Sequence, residues 1–206
     1  MKITRTGNAG VLLEINEISV LLDGVCKDLF PYTPTPSCIK EQLLESSPDI
    51  VAFTHYHEDH YDEGFAASYK KNTLRSVYGP ELFLSGEYKG VRFSTFSTRH
   101  IGKNNIDHVS FIVEGEKCLW FTGDASPLDL EKQAGLPKPD VIIVPYAYAL
   151  TEPAWRKTKG FGAENIILVH MPEEMNDPYG LWKQVREVTQ GDESLVILSV
   201  GESKMF

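Results

Sequence analysis

Cysteine is scarce in this chain: three in 206 residues, Cys26, Cys38 and Cys118, with no C-x-x-C pair. An odd, scattered set of thiols, with no basic-then-apolar segment at Met1-Lys2-Ile3, leads to the expectation of a reducing, cytoplasmic setting. Long apolar runs are also missing. The longest, Val141-Ile142-Ile143-Val144 and Ile166-Ile167-Leu168-Val169, are strand length, far short of the roughly 20 residues a bilayer-crossing helix needs, so no membrane segment is expected. Positive charge is in deficit, with 20 Lys and Arg against 29 Asp and Glu and a net charge of -9. Such a surface repels phosphate backbones, and no local basic patch stands out, so nucleic acid is a disfavoured partner. No repeat and no low-complexity linker divides the chain, and residues 1–206 read as one domain with one sizeable core.

What is present alternates with a period of two. Val11 to Ile15 and Ile18 to Leu22 read as a hairpin around Asn16-Glu17, preceded by a Gly7-Asn8-Ala9-Gly10 turn. Further strands are expected at 50–54, 76–78, 109–113, 118–122, 141–145, 166–169 and 194–199, with a hairpin-like pair across 82–96. Helices are expected after Ser37 as a cap, over 63–69, after Pro153 and over 179–189. Strands predominate early, and strands and helices alternate late. That grammar points to an α/β (α+β) fold of two sheets face to face with helices outside.

The chemistry lies at strand ends. Thr54-His55-Tyr56-His57-Glu58-Asp59-His60 carries three of the six histidines and an aspartate directly after an apolar strand. His100, Asp124 and His170 each follow a further strand by a few residues. Imidazoles and carboxylates are the donors that hold zinc, manganese or iron, and loops at one edge of a layered fold can bring them together. His108 lies close to His100 and competes with it as a ligand on sequence alone.

In this order, His55-x-His57-x-Asp59-His60, His100, Gly123-Asp124 and His170 resemble the signature of the metallo-β-lactamase fold superfamily, and Gly7 to Glu14 followed by Leu21-Leu22-Asp23 is similar to its opening hairpin. The resemblance implies a four-layer αββα sandwich holding two divalent ions, zinc by default and manganese or iron as alternatives. It implies that His55, His57 and His100 hold one ion, Asp59, His60 and His170 the other, and that Asp124 bridges both. His108 and Asp23 would then support ligand imidazoles from behind. It further implies hydrolysis by a bridging hydroxide, with Asp59 also orienting the water or taking its proton.

Within the superfamily the chain looks like the compact branch of L-ascorbate-6-phosphate lactonase and related small metal-dependent hydrolases, whose substrates are small esters, lactones or phosphodiesters. His57 stands where the di-iron flavoproteins carry a glutamate, and Asp124 where zinc β-lactamases carry a cysteine. About 36 residues follow His170, too few for the added helical domain of glyoxalase II relatives. Tyr61, Arg99, Lys103 and Tyr146 are the substrate-side candidates, and Met171 to Met175 would form part of the rim. Trp155 and Trp182 read as packing residues. Two other functions remain open at this point, a metal-binding sensor or scaffold without turnover and a metallo-nuclease, and the oligomeric state is not written in the sequence.

Overall fold

The computed structural model describes residues 1–30, 32–102, 105–131 and 135–206. Among these, strands β1 (Lys2–Arg5), β2 (Val11–Ile15), β3 (Ile18–Leu22), β4 (Ile50–Ala52), β5 (Val77–Tyr78) and β13 (Ser203–Met205) form a six-stranded sheet in the order β13-β1-β2-β3-β4-β5. A seven-stranded sheet runs β12-β11-β10-β9-β8-β7-β6, from β6 (Gly86–Tyr88), β7 (Val91–Ser97), β8 (Val109–Glu114), β9 (Cys118–Phe121), β10 (Val141–Pro145), β11 (Asn165–Val169) and β12 (Leu195–Val196). Both sheets mix parallel and antiparallel pairs.

The period-two pattern explains the layering. Val11, Leu13 and Ile15, Val20 and Leu22, and Ala52 point inward to meet Phe111 and Val113, Leu119 and Phe121, and Ile143, Ile167 and Val169 of the second sheet. Their neighbours point the other way. Leu12, Leu21 and Val51 pack under α1 (Ser37–Ser46) and α2 (Glu63–Thr73), with Leu43, Phe65 and Tyr69. Ile112, Trp120, Ile142, Val144, Ile166 and Leu168 pack under α3 (Pro127–Leu130), α4 (Glu152–Gly160) and α5 (Leu181–Thr189), with Trp155 and Val185. A strand residue switched to the wrong face would therefore meet a different apolar layer, which fixes register on both sides. The expected four-layer sandwich is borne out.

Element ends differ in places, for physical reasons. Ser37 is the first helical residue of α1, with Pro36 before it, and its side chain caps nothing. Asp62 and Thr151 do cap, accepting from the backbone N–H of Phe65 (2.9 Å) and Ala154 (3.3 Å). The final strand is only Leu195–Val196, because the chain then leaves to place β13 antiparallel to β1. Helix α5 starts at Leu181, since Gly180 holds a left-handed conformation; Asp177 accepts from the N–H of Trp182 at 2.8 Å in place of a cap. None of the described helices is long and apolar enough to cross a membrane.

What this architecture positions is one edge. β3, β4 and β5 are parallel in one sheet, and β9 to β12 in the other, with β7 pointing the same way as β9 through the antiparallel β8. Their carboxyl ends gather on a single rim, where Asp23, His55, His100, Asp124, Tyr146 and His170 emerge.

Candidate metal centre

Among the described residues, three groups of side chains bring ligand atoms within 4.8 Å of one another: His55, His57 and His100; Asp59, His60 and His170; and His55, His60 and Asp124. Asp124 sits between the first two groups. One of its oxygens lies 3.4 Å from Nε2 of both His60 and His100, and the other lies 3.2 Å from Nε2 of His170. These three Nε2 atoms are buried and make no hydrogen bond. A buried polar atom without a partner costs about 1–3 kcal/mol, and three aimed at one carboxylate ask for a ligand that satisfies them together.

Hydrogen bonds behind the imidazoles fix which nitrogen faces inward. The backbone leaves β3 with Asp23 at φ 46, turning its fully buried carboxylate onto the next strand end. One oxygen accepts from the Thr54 N–H (2.7 Å), the other from the Thr54 hydroxyl (2.6 Å) and His60 Nδ1 (2.7 Å). His60 Nδ1 must therefore carry the proton, leaving Nε2 bare. The Thr54 hydroxyl, already donating to Asp23, accepts from His55 Nδ1 at 3.0 Å, which leaves His55 Nε2 3.0 Å from His57 Nδ1. Asp23 thus orients two of the clustered imidazoles, His60 directly and His55 through Thr54. His100 Nδ1 donates to the carbonyl of Ile101 at 2.7 Å, again turning Nε2 inward.

His108 is spent elsewhere. Its Nε2 accepts the Asp124 backbone N–H at 3.0 Å, so its Nδ1 donates to Thr98 Oγ1 at 2.7 Å. Thr98 then donates to Ser110 (3.0 Å), and Ser110 to the carbonyl of Thr122 (2.9 Å). With both ring nitrogens committed, His108 buttresses the Asp124 loop, whereas His100 has a nitrogen to offer.

The electrostatics converge on Asp124. Burial alone would raise its carboxyl, but His170, His60 and His100 hold it well below the usual carboxylate range. Burial pulls His60 down, and Asp124 and Asp23 outweigh it, so this imidazole sits well above its ordinary value. His100 is also raised, chiefly by Asp124. His55 is lowered by burial and by the neighbouring His60 and His108, and burial pushes His108 down to about 3. The centre therefore attracts positive charge at its middle, where His60 and His100 are raised by Asp124, while the buried His55 and His108 beside them stay neutral. Donor type, burial and bare nitrogens all fit divalent ions of the zinc, manganese or iron class.

Two residues absent from the sequence-based candidates complete the centre. Asn8, in the turn after β1, contacts His170 Nδ1 at 2.7 Å and donates to Asp59 at 3.3 Å, while its carbonyl accepts the His170 N–H at 2.8 Å. His170 needs that support, since its φ of 63 is a left-handed conformation costly for a bulky residue. Arg5, 2% exposed, donates to the carbonyls of Gly7 (3.0 Å), Leu198 (2.9 Å) and Met171 (2.5 Å), gathering three loops behind His170. Asn8 lay inside a turn that the sequence marked only as a turn.

A cavity of about 250 Å³ opens above the centre, with Asn8, Asp59, His100, Asp124 and His170 at its floor. Its walls carry Tyr32, Tyr146, Tyr179, Pro172, Pro178 and Leu181. Of the four substrate-side candidates, Tyr146 is placed in this wall. Tyr61 and Arg99 do not line it. Tyr61 packs its ring edge-on against Phe53 at 4.9 Å, and the Arg99 guanidinium pairs with Asp129 at 2.9–3.0 Å. Lys103 lies outside the described residues. Trp155 is buried beneath the second sheet, and Trp182 donates its indole N–H to the carbonyl of Pro172 at 2.8 Å, bracing the cavity wall.

A model of the beta-lactamase superfamily domain matches residues 2–161. A UPF0173 metal-dependent hydrolase of Methanopyrus kandleri is 24% identical over 98% of this chain and 99% of its own length. One of Methanobrevibacter smithii is 28% identical over 53% of this chain; the match spans little more than half of that relative, 57%. Among solved structures, a possible metal-dependent hydrolase from Veillonella parvula superposes with a TM-score of 0.75 at 19% identity, covering 100% of this chain and 99% of that one. With its sandwich and rim matching this pattern, the chain belongs to the beta-lactamase superfamily domain family.

Proposed function

We propose that this protein is a metal-dependent hydrolase with a dinuclear centre, cleaving a small ester, lactone or phosphodiester. The observation that carries the reading is the convergence of three buried, unpartnered Nε2 atoms, from His60, His100 and His170, on the carboxylate of Asp124. The names of the full-length and partial relatives as metal-dependent hydrolases support it. His55, His57 and His100 would hold one ion, Asp59, His60 and His170 the second, and Asp124 both, with zinc the default. When bound, such a pair supplies Lewis acidity and a water of lowered pKa.

The chain's own groups do the rest. Asp59 at the cavity floor, steadied by Asn8 at 3.3 Å, is assigned to orient the attacking water and take its proton. Burial raises the phenol of Tyr146, so it keeps its proton and can donate to a developing oxyanion. One water is added across the scissile bond, releasing an acid and an alcohol. No Lys or Arg is among the described residues lining the cavity, which favours a small molecule over a nucleic acid as substrate.

The test is metal-reconstituted protein assayed against esters, lactones, thioesters and phosphodiesters, beside His57→Ala. Turnover of one class that disappears in His57→Ala is expected. Turnover that survives the substitution contradicts the mechanism, and none on any class sinks the hydrolase reading in favour of a sensor or scaffold.

A further inference from the structure

An open trough lies beside the cavity above the metal centre. Tyr32, Thr33, Pro172 and Pro178 line both, so the two share a wall. Beyond that wall the trough runs past Phe30 and Met175. Phe30 is 82% exposed and Met175 98%, with Tyr179 at 63% on the cavity side. A contiguous apolar strip leading out of a polar centre marks a place where something apolar binds.

The trough's charged groups narrow the occupant. Its described lining has no Lys or Arg, and its two carboxylates are engaged with backbone amides: Glu173 accepts from Val200 at 3.3 Å and Asp177 from Trp182 at 2.8 Å. An anionic arm would meet two fixed negative charges and no cation; an uncharged one meets proline, phenylalanine and methionine faces. We infer that this trough seats the uncharged apolar arm of a carboxylic ester or lactone whose polar carbonyl enters the cavity. The inference rests on the hydrolase reading and narrows it.

The experiment uses zinc-reconstituted protein with p-nitrophenyl acetate, butyrate and hexanoate, bis(p-nitrophenyl) phosphate, and the double variant Phe30→Ser/Met175→Ser. Burying a methylene is worth about 0.8 kcal/mol, roughly fourfold, so even half-buried methylenes give at least about tenfold in kcat/KM from acetate to hexanoate. The ratio is expected to fall to about two in the double variant, and because it is internal to each protein, a partly folded sample does not imitate the result. A flat chain-length series or an undiminished ratio in the variant overturns the inference. Calorimetric binding of octanamide separates it from the parent reading. If no ester, lactone, thioester or phosphodiester is cleaved, the hydrolase reading fails; octanamide binding weakened at least fivefold by the double variant then still supports the trough, and absent or unaltered binding overturns it.

Discussion

The floor and the wall of the cavity are built by opposite means. On the floor, His60 is held from behind by Asp23, His55 by Thr54, His100 by the Ile101 carbonyl, and the Asp124 loop by His108. Asp23, His55, His60 and His108 are buried, and a misplaced one leaves a buried polar group without its partner. On the wall, Tyr32 and Tyr179 come from stretches without helix or strand, 32–36 and 177–180, and stay partly exposed. Chemistry is fixed where ordering is densest, and selectivity lies where loops can vary without disturbing it.

Substitution can break that comparison, and the largest effect is expected on the floor. Asp124→Ala should lower kcat/KM by more than about a thousandfold and reduce bound metal, measured by elemental analysis and steady-state kinetics together. Near-normal turnover would remove Asp124 from the centre. Asp23→Ala touches no substrate, yet strands His60 Nδ1 and Thr54, and outer partners of this kind typically weaken metal binding about 10–100-fold. Titration of zinc against a chelator should show that loss, and equal affinity would contradict the support role.

The wall should behave differently. Tyr179→Ser is expected to raise KM roughly fivefold to tenfold with metal content unchanged, because about one partly buried ring is lost. A drop in metal content would mean that wall and floor are not separate.

Acid provides a weaker contrast. His108 lies near 3 when folded, below its unfolded value, so the unfolded chain takes the proton first. Its contribution is present above about pH 6.5 and is lost as the metal-free protein is acidified towards 3. His60 and His100, both raised, act in the opposite sense, so the informative measurement is a difference. His108→Gln should flatten the fall of the thermal midpoint with acid relative to the parent; an identical slope would contradict the buried neutral assignment. Smallest of all, Arg99→Ala should change kcat/KM by less than about twofold, since its exposed pair with Asp129 is worth about 0–1 kcal/mol.

Much of the floor is legible in the sequence because strand ends announce themselves. Val51 and Ala52 face different apolar layers, so the run into His55 stays continuously apolar and then stops. The same abrupt change precedes Asp124 and His170. Asn8 is harder to see, since a turn asparagine normally serves its own backbone, and only the fold brings it 2.7 Å from a residue 162 positions away. Tyr32 and Tyr179 have no periodic neighbours to give them a direction. Strand β13 pairs with β1 through Ser203–Met205, all three exposed, so it lacks the alternation that marks the other strands. Arg99 looked like an anion clamp from its place beside His100, but its neighbour in space is Asp129, thirty positions on.

One contact at the rim bears on the tuning of the whole site. A Cβ on Gly123, whose φ is 52, would come within 2.5 Å of the Thr54 hydroxyl, so the loops after β4 and β9 meet here with no room for a methyl group. His55 to His60 ride on one sheet, while His100, Asp124 and His170 ride on the other. Each histidine-containing triplet, His55–His57–His100 and Asp59–His60–His170, therefore spans the gap like a clasp. The pitch of that clasp is set by how thick the greasy layer between the sheets is. A substitution deep among Leu13, Phe111 and Ile143 is thus expected to shift the spacing of the two halves of each triplet without altering a single one of their residues.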